Sequence, residues 1–175
     1  MILTDHKSNM ETKVFCGGRF HFDYLDEDYI QKASEDYRAL LLGDVNKLLR
    51  GSGLIRISDH LSYVGPYYFE TEGMIDRDIV VTEMRMIENC DVTFFLLEDG
   101  TCPGTISEMN YAAALQKRMC IVYLKDEEET ESSLRSACWY PINMCRMSNK
   151  SETEIISCSD FEEAQRIILK KVLSA

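Results

Sequence analysis

The residue that most invites a chemical reading is Glu108, set in Gly104-Thr105-Ile106-Ser107-Glu108 just after the apolar run Val92-Thr93-Phe94-Phe95-Leu96-Leu97 and a Gly/Pro turn. That spacing puts a carboxylate about one turn into a helix, where the positive helix end and nearby backbone donors favour the ionised form. A fixed carboxylate of this kind serves as a nucleophile or as the counter-charge to a cationic transition state. At an N-glycosidic carbon the transition state resembles an oxocarbenium ion. The chemistry there needs a negative group beneath the sugar and a proton source beside the departing base. The same glutamate also fits a capping box opened by Thr105, so local spacing leaves both readings open.

The elements that must position Glu108 are legible as periodicities. Residues 13–18 read as a short buried strand ending in Gly17-Gly18, and residues 29–49 as a long amphipathic helix stopped by Gly51-Ser52-Gly53. Residues 54–57 and 62–64 are weaker extended pieces, and residues 74–89 repeat the helical spacing. The run 92–97 is a β-rich segment of the kind found in the middle of a parallel sheet. A helix over 105–115, a strand over 119–124 and a closing helix over 161–173 follow. Strand, helix, strand at this spacing is a right-handed βαβ unit whose ligand crevice lies beyond the carboxyl ends of the strands. The expected fold is therefore α/β: one domain over 1–175, a doubly wound and mostly parallel sheet of the flavodoxin-like or Rossmann-like kind. The acidic run 125–131 reads as a solvated loop.

Composition narrows the partners. The 175 residues carry a net charge of -11 with no basic run, which disfavours a nucleic acid polymer and suits a small ligand. Seven cysteines without a CxxC pair argue against both a zinc site and a secreted disulfide framework, and read as small core residues in a reducing compartment. No run approaches the length of a membrane span and the first residues lack the pattern of a leader peptide, so a cytoplasmic protein is expected. Gly17-Gly18 lacks the third glycine and acidic partner of a dinucleotide site. Neither metal nor cofactor is expected.

Taken in order along residues 14–147, several segments resemble the nucleoside 2-deoxyribosyltransferase family and the related deoxynucleoside-monophosphate N-glycosidases. They are Val14-Phe15-Cys16-Gly17-Gly18, Ser62-Tyr63-Val64, Glu83 ahead of Asp91, the stretch Gly104-Thr105-Ile106-Ser107-Glu108-Met109-Asn110-Tyr111-Ala112, and Pro141-Ile142-Asn143-Met144. The resemblance implies that Glu108 forms a covalent deoxyribosyl intermediate, and that Asp99 and Glu83 contact or protonate the base. It places Phe15, Gly17, Gly18, Arg19, Gly104, Asn143 and Met144 around the substrate. Asn143 would reach the site of a neighbouring subunit, making the protein a homo-oligomer with shared active sites.

The departures are specific. The family tyrosine of the first strand is replaced at Val14 or Phe15, Glu83 stands where an aspartate is usual, and 126–135 is inserted. The family's phosphate-gripping serine and arginine are represented by Gly18 and Arg19, with glycine in the serine's place. The implied activity is base exchange on 2'-deoxynucleosides. Its alternatives are hydrolysis of (deoxy)nucleosides or their 5'-monophosphates, and a nucleotide-binding sensor domain that has lost the chemistry.

Overall fold

Strand β4 (Val92–Leu97) is buried along its whole length because both faces of the sheet are covered. Its alternate residues belong to two separate cores. Val92, Phe94 and Leu96 pack with Val14, Cys16, Val122 and Ile168, whereas Phe95 and Leu97 pack with Phe15, Ile121, Met109 and Ile142. The period-2 geometry of a strand thus divides one apolar run between two layers of helices. Each buried Phe or Leu contributes roughly 1.5–3 kcal/mol relative to exposure.

The computed structural model describes residues 11–18, 37–43, 54–66, 76–97, 103–124, 139–148 and 153–175. Strand β1 (Thr12–Gly18) lies parallel between β3 (Leu61–Gly65) and β4, and β5 (Arg118–Leu124) and β6 (Thr153–Cys158) extend the sheet in parallel beyond β4. The short β2 (Ile55–Arg56) pairs antiparallel at the edge of β3, giving the order β2-β3-β1-β4-β5-β6. The expected doubly wound, mostly parallel α/β sheet is present. The order reverses at β1, so the crevice between the carboxyl ends of β1 and β4 is the topological switch point where such sheets bind ligands.

Among the described residues five helices cover the sheet: α1 (Tyr37–Leu42), α2 (Asp76–Asn89), α3 (Pro103–Ala114), α4 (Trp139–Ser148) and α5 (Phe161–Leu173). Helices α1 and α5 supply Tyr37, Leu42, Ala164, Ile168 and Val172 to one core; α2, α3 and α4 supply Ile87, Met109, Ala112, Ile142 and Cys145 to the other. Helix α5 is well specified locally. Asp160 caps it by accepting a 2.7 Å hydrogen bond from the Glu163 amide, with acidic residues in the first turn and Lys170 and Lys171 in the last.

Several expectations are corrected. Pro141-Ile142-Asn143 lies in the first half of α4, a helix that the periodicities did not reveal, where proline near a helix start loses no hydrogen bond. Strand β6 was not anticipated, because an edge strand alternates exposed and half-buried residues and lacks an apolar run. Of the helix expected over 29–49 only Tyr37–Leu42 falls within the described residues. The inserted segment 126–135 lies outside them. Asp91 has a structural explanation: its carboxylate accepts from the Lys13 amide at 2.8 Å while its own amide donates to the Lys13 carbonyl at 2.7 Å, tying β4 to β1 at the end remote from the switch point. No described helix is long and apolar enough to cross a membrane. Five described cysteines, Cys16, Cys90, Cys120, Cys145 and Cys158, are buried free thiols.

Candidate active site

Helix α3 starts at Pro103, so Thr105 is already inside it and buried, and Glu108 falls in the second turn. This geometry excludes the capping-box reading. The helix instead turns Glu108 inward across the carboxyl end of β1. A Cβ built on Gly17 would lie 2.7 Å from Glu108 Oε2 and 2.6 Å from the Phe95 ring, so only glycine leaves room for the carboxylate there. Gly18 faces the opposite layer, against Tyr37 and Leu96.

Glu108 as a whole is half-buried, but its Oε2 is sealed from solvent and has no hydrogen-bond partner among the described residues. Orphaned buried carboxylate oxygens are rare because they forfeit hydration without replacement. Burial pushes the carboxyl up to about 8, the nearby Glu83 adds to the rise, and the Arg38 guanidinium opposes it. The expectation that the helix end keeps Glu108 ionised is therefore corrected. The helix terminus lies more than a turn away, and desolvation dominates. Glu83, on α2, is likewise raised by burial and lowered by Arg38. Glu83 thus raises Glu108, and the Arg38 guanidinium lowers both carboxyls.

Arg38 is a buried charge that sequence reasoning missed. It is fully buried on α1, with Nη1 donating to the Cys16 carbonyl at 3.5 Å and Cζ lying 5.5 Å from the Tyr37 ring centroid. In the sequence it is one charged residue in an amphipathic helix, and nothing local separates it from a solvated one. The Tyr37 hydroxyl donates to the Gly17 carbonyl at 2.7 Å, fixing the peptide beside Glu108 rather than the carboxylate itself.

A cavity of about 650 Å³ opens between α2 and α3. Glu83, Glu108 and Asn110 give its polar lining, while Val80, Met84 and Ile87 give an apolar wall. Gly104, expected at the site, lines it with open space before its α-carbon. Phe15 does not: it is fully buried in the core, its ring 6.1 Å from that of Phe95. Asn143 and Met144 sit on α4, outside the lining of this cavity. Arg19 and Asp99 lie outside the described residues. A second cavity, of about 320 Å³, sits at the other end of the sheet by Arg118, Glu154 and Lys171; there Glu154 and Lys171 are paired with each other.

No family model matches the chain, and no curated protein is similar to it in sequence. Among solved structures it is similar to the Clostridium botulinum CMP N-glycosidase BcmB, with a TM-score of 0.50 at 13% identity, covering 93% of this chain and 98% of that one. The chain shares its fold with BcmB. Near-complete coverage of both chains means that the likeness to BcmB extends over the whole domain rather than one βαβ unit. The Aquifex aeolicus Era protein bound to GDP·AlF4- is a weaker match, with a TM-score of 0.42 at 16% identity over 92% of this chain and 56% of that one.

Proposed function

We propose that the chain is an N-glycosidase that cleaves the bond between a nucleobase and its sugar, in a nucleoside or nucleoside 5'-monophosphate, with Glu108 as nucleophile. The observation that carries this reading is the orphaned Oε2 of Glu108, held at the switch point of the sheet on a residue that lines a cavity of about 650 Å³. The ionised carboxylate attacks the anomeric carbon, the C–N bond breaks with its electron pair passing to the base, and the base takes a proton. Glu83, whose carboxyl burial raises above the usual carboxylate range, lines the same cavity and is the group placed to supply it. Water then attacks the glycosyl ester, returning Glu108 and releasing the sugar with its original configuration after two inversions.

Hydrolysis is favoured over transfer by the shared fold of BcmB, a CMP N-glycosidase. Base exchange by a 2-deoxyribosyltransferase differs only in the acceptor, and the apolar wall of Val80, Met84 and Ile87 suits a second base as well as the first. The protein acts as a homo-oligomer in this reading. Tyr140, Met144 and Met147 form an exposed apolar stripe on α4 that a second copy would cover, bringing its own Asn143 to the sugar.

Incubation with CMP, with dCMP, and with deoxyinosine plus free adenine, followed by separation of products, tests the proposal. Free base with a pentose or pentose phosphate identifies a hydrolase, and deoxyadenosine identifies a transferase. Tight binding without turnover identifies a sensor domain and removes Glu108 from any catalytic role.

A further inference from the structure

We propose that Tyr111 is the base-binding residue of this cavity: its ring, tethered across to α2 by Glu88, is the surface on which the nucleobase stacks. The inference rests on the glycosidase reading of the site and names where the departing base lies relative to Glu108.

Tyr111 follows Glu108 by three residues on α3, so the two side chains share a helix face and are separated by about 4.5 Å along its axis. Both line the cavity between α2 and α3. A flat heterocycle joined to a carbon held at Glu108 has the reach to cover that step. Tyr111 is the one aromatic side chain among the described residues that line the cavity, and Val80, Met84 and Ile87 face it from α2. Ala114, a turn further along α3, adds only a methyl to the lining.

The ring is held from two directions. Its hydroxyl donates to Glu88 Oε1 at 2.6 Å, and its body packs against the core layer that contains Ile87 and Met109. Glu88 is anchored in turn. Lys117 Nζ donates to the Glu88 carbonyl at 2.8 Å and to the Cys90 carbonyl at 2.7 Å, pinning the end of α2 to the chain just after α3. A side chain fixed in this way loses little freedom when a ligand stacks on it, so the contact is not offset by an ordering cost. Because the hydroxyl proton is committed to Glu88, Tyr111 offers a ligand its ring face rather than a hydrogen-bond donor. A ring face accepts any heterocycle, so pyrimidines and purines both bind through it. Bracing the two helices needs only the bond between hydroxyl and carboxylate; the ring's place on the cavity wall is what a base uses.

The test is a titration of the full chain with free cytosine, free adenine, ribose and ribose 5-phosphate, followed by 1H NMR in the native protein, Tyr111→Leu, Tyr111→Phe and Glu88→Ala. In the native protein both bases are expected to bind with their ring protons shifted upfield, the mark of stacking on an aromatic face. Tyr111→Leu is expected to weaken both bases about tenfold or more, to abolish the upfield shift, and to leave unchanged the binding of whichever sugar the native protein takes. The same loss appears in KM for a cleaved nucleoside or nucleotide, with kcat nearly constant. Tyr111→Phe and Glu88→Ala keep the ring and lose the tether, so each weakens the bases by a common, smaller factor, and the double variant by no more than either alone. Should Tyr111→Leu not fold, the upfield shift and this matched pair decide. Three results overturn the proposal: base affinity and KM unchanged in a folded Tyr111→Leu protein, bases that bind without an upfield shift, or equal loss of base and sugar binding, which marks a structural role. A native protein that binds no base and cleaves none of the substrates named above sinks the glycosidase reading together with this proposal, whereas native binding that survives removal of the ring sinks the proposal alone.

Discussion

Glu108 Oε2 stands 2.7 Å from the point where a side chain on Gly17 would begin, so the absence of an atom on one strand is what allows a carboxylate from the neighbouring helix to be sealed in place. Gly17→Ala is expected to displace Glu108, cost about 1–3 kcal/mol of stability through overpacking against Phe95, and abolish cleavage. Gly104→Ala, whose added methyl meets open space inside α3, is expected to keep activity and gain about 0.5–1 kcal/mol from helix propensity. Thermal melts and product analysis of the two variants check the contrast; equal behaviour would show that the close approach at Gly17 is unimportant.

Glu108→Gln is expected to lower turnover by at least about a thousand-fold, as removal of a nucleophile does. It also changes the pH dependence of stability, with a definite sign. The folded carboxyl titrates at about 8 against an ordinary 4.5, so it stabilises the fold fully below pH 4.5. That contribution is lost as the pH rises toward and through 8. The native protein should therefore lose on the order of a few kcal/mol across that window, and Glu108→Gln should not. Melting temperatures at pH 5 and pH 8 provide the check, with the variant gaining on the native protein at the higher pH.

For the native enzyme, kcat/KM on a cleavable nucleoside or nucleotide is expected to rise with pH up to about 8, since only the ionised Glu108 attacks. Replacing Glu83 with glutamine removes a neighbouring negative charge, so the rising limb should move to lower pH while its plateau drops for want of the acid. A limb that stays put in Glu83→Gln would mean that the two carboxyls do not feel each other.

Asp91 makes a control. Asp91→Ala removes the carboxylate that accepts from the Lys13 amide and is expected to cost about 1 kcal/mol without altering kcat or KM, because the lost bond lies at the far end of β1 and β4. Urea unfolding together with steady-state kinetics measures both quantities; a selective loss of kcat would reassign Asp91 to the site.

The parts of this molecule that could be read from its residues are those where one physical signal dominates. The continuous apolar run at 92–97 could only be a strand covered on both sides, and the stripe Ala164, Ile168, Val172 behind the Asp160 cap could only be a helix. Glu108 stood out because it follows the central strand at the distance where open α/β sheets place ligands. What stayed hidden depended on contacts distant in sequence. The charge state of Glu108 is set by burial and by Glu83 and Arg38, none of which its neighbours in the chain reveal. Arg38 itself is buried by tertiary packing at a helix position that would otherwise be solvated. Strand β6 gains its order from pairing with β5 rather than from an apolar pattern of its own, and Pro141 disguised the start of α4.

The alternation along β4 assigns the two faces of the sheet different tasks. Phe94 and Leu96 belong to the layer packed by α1 and α5, while Phe95 and Leu97 belong to the layer in which α2 and α3 stand apart around the larger of the two hollows described above. Val80 and Met84 can therefore be exchanged to accommodate differently shaped ligands while Ile168 and Val172 go on anchoring the chain. Such a molecule is able to diversify its diet without renegotiating its foundations.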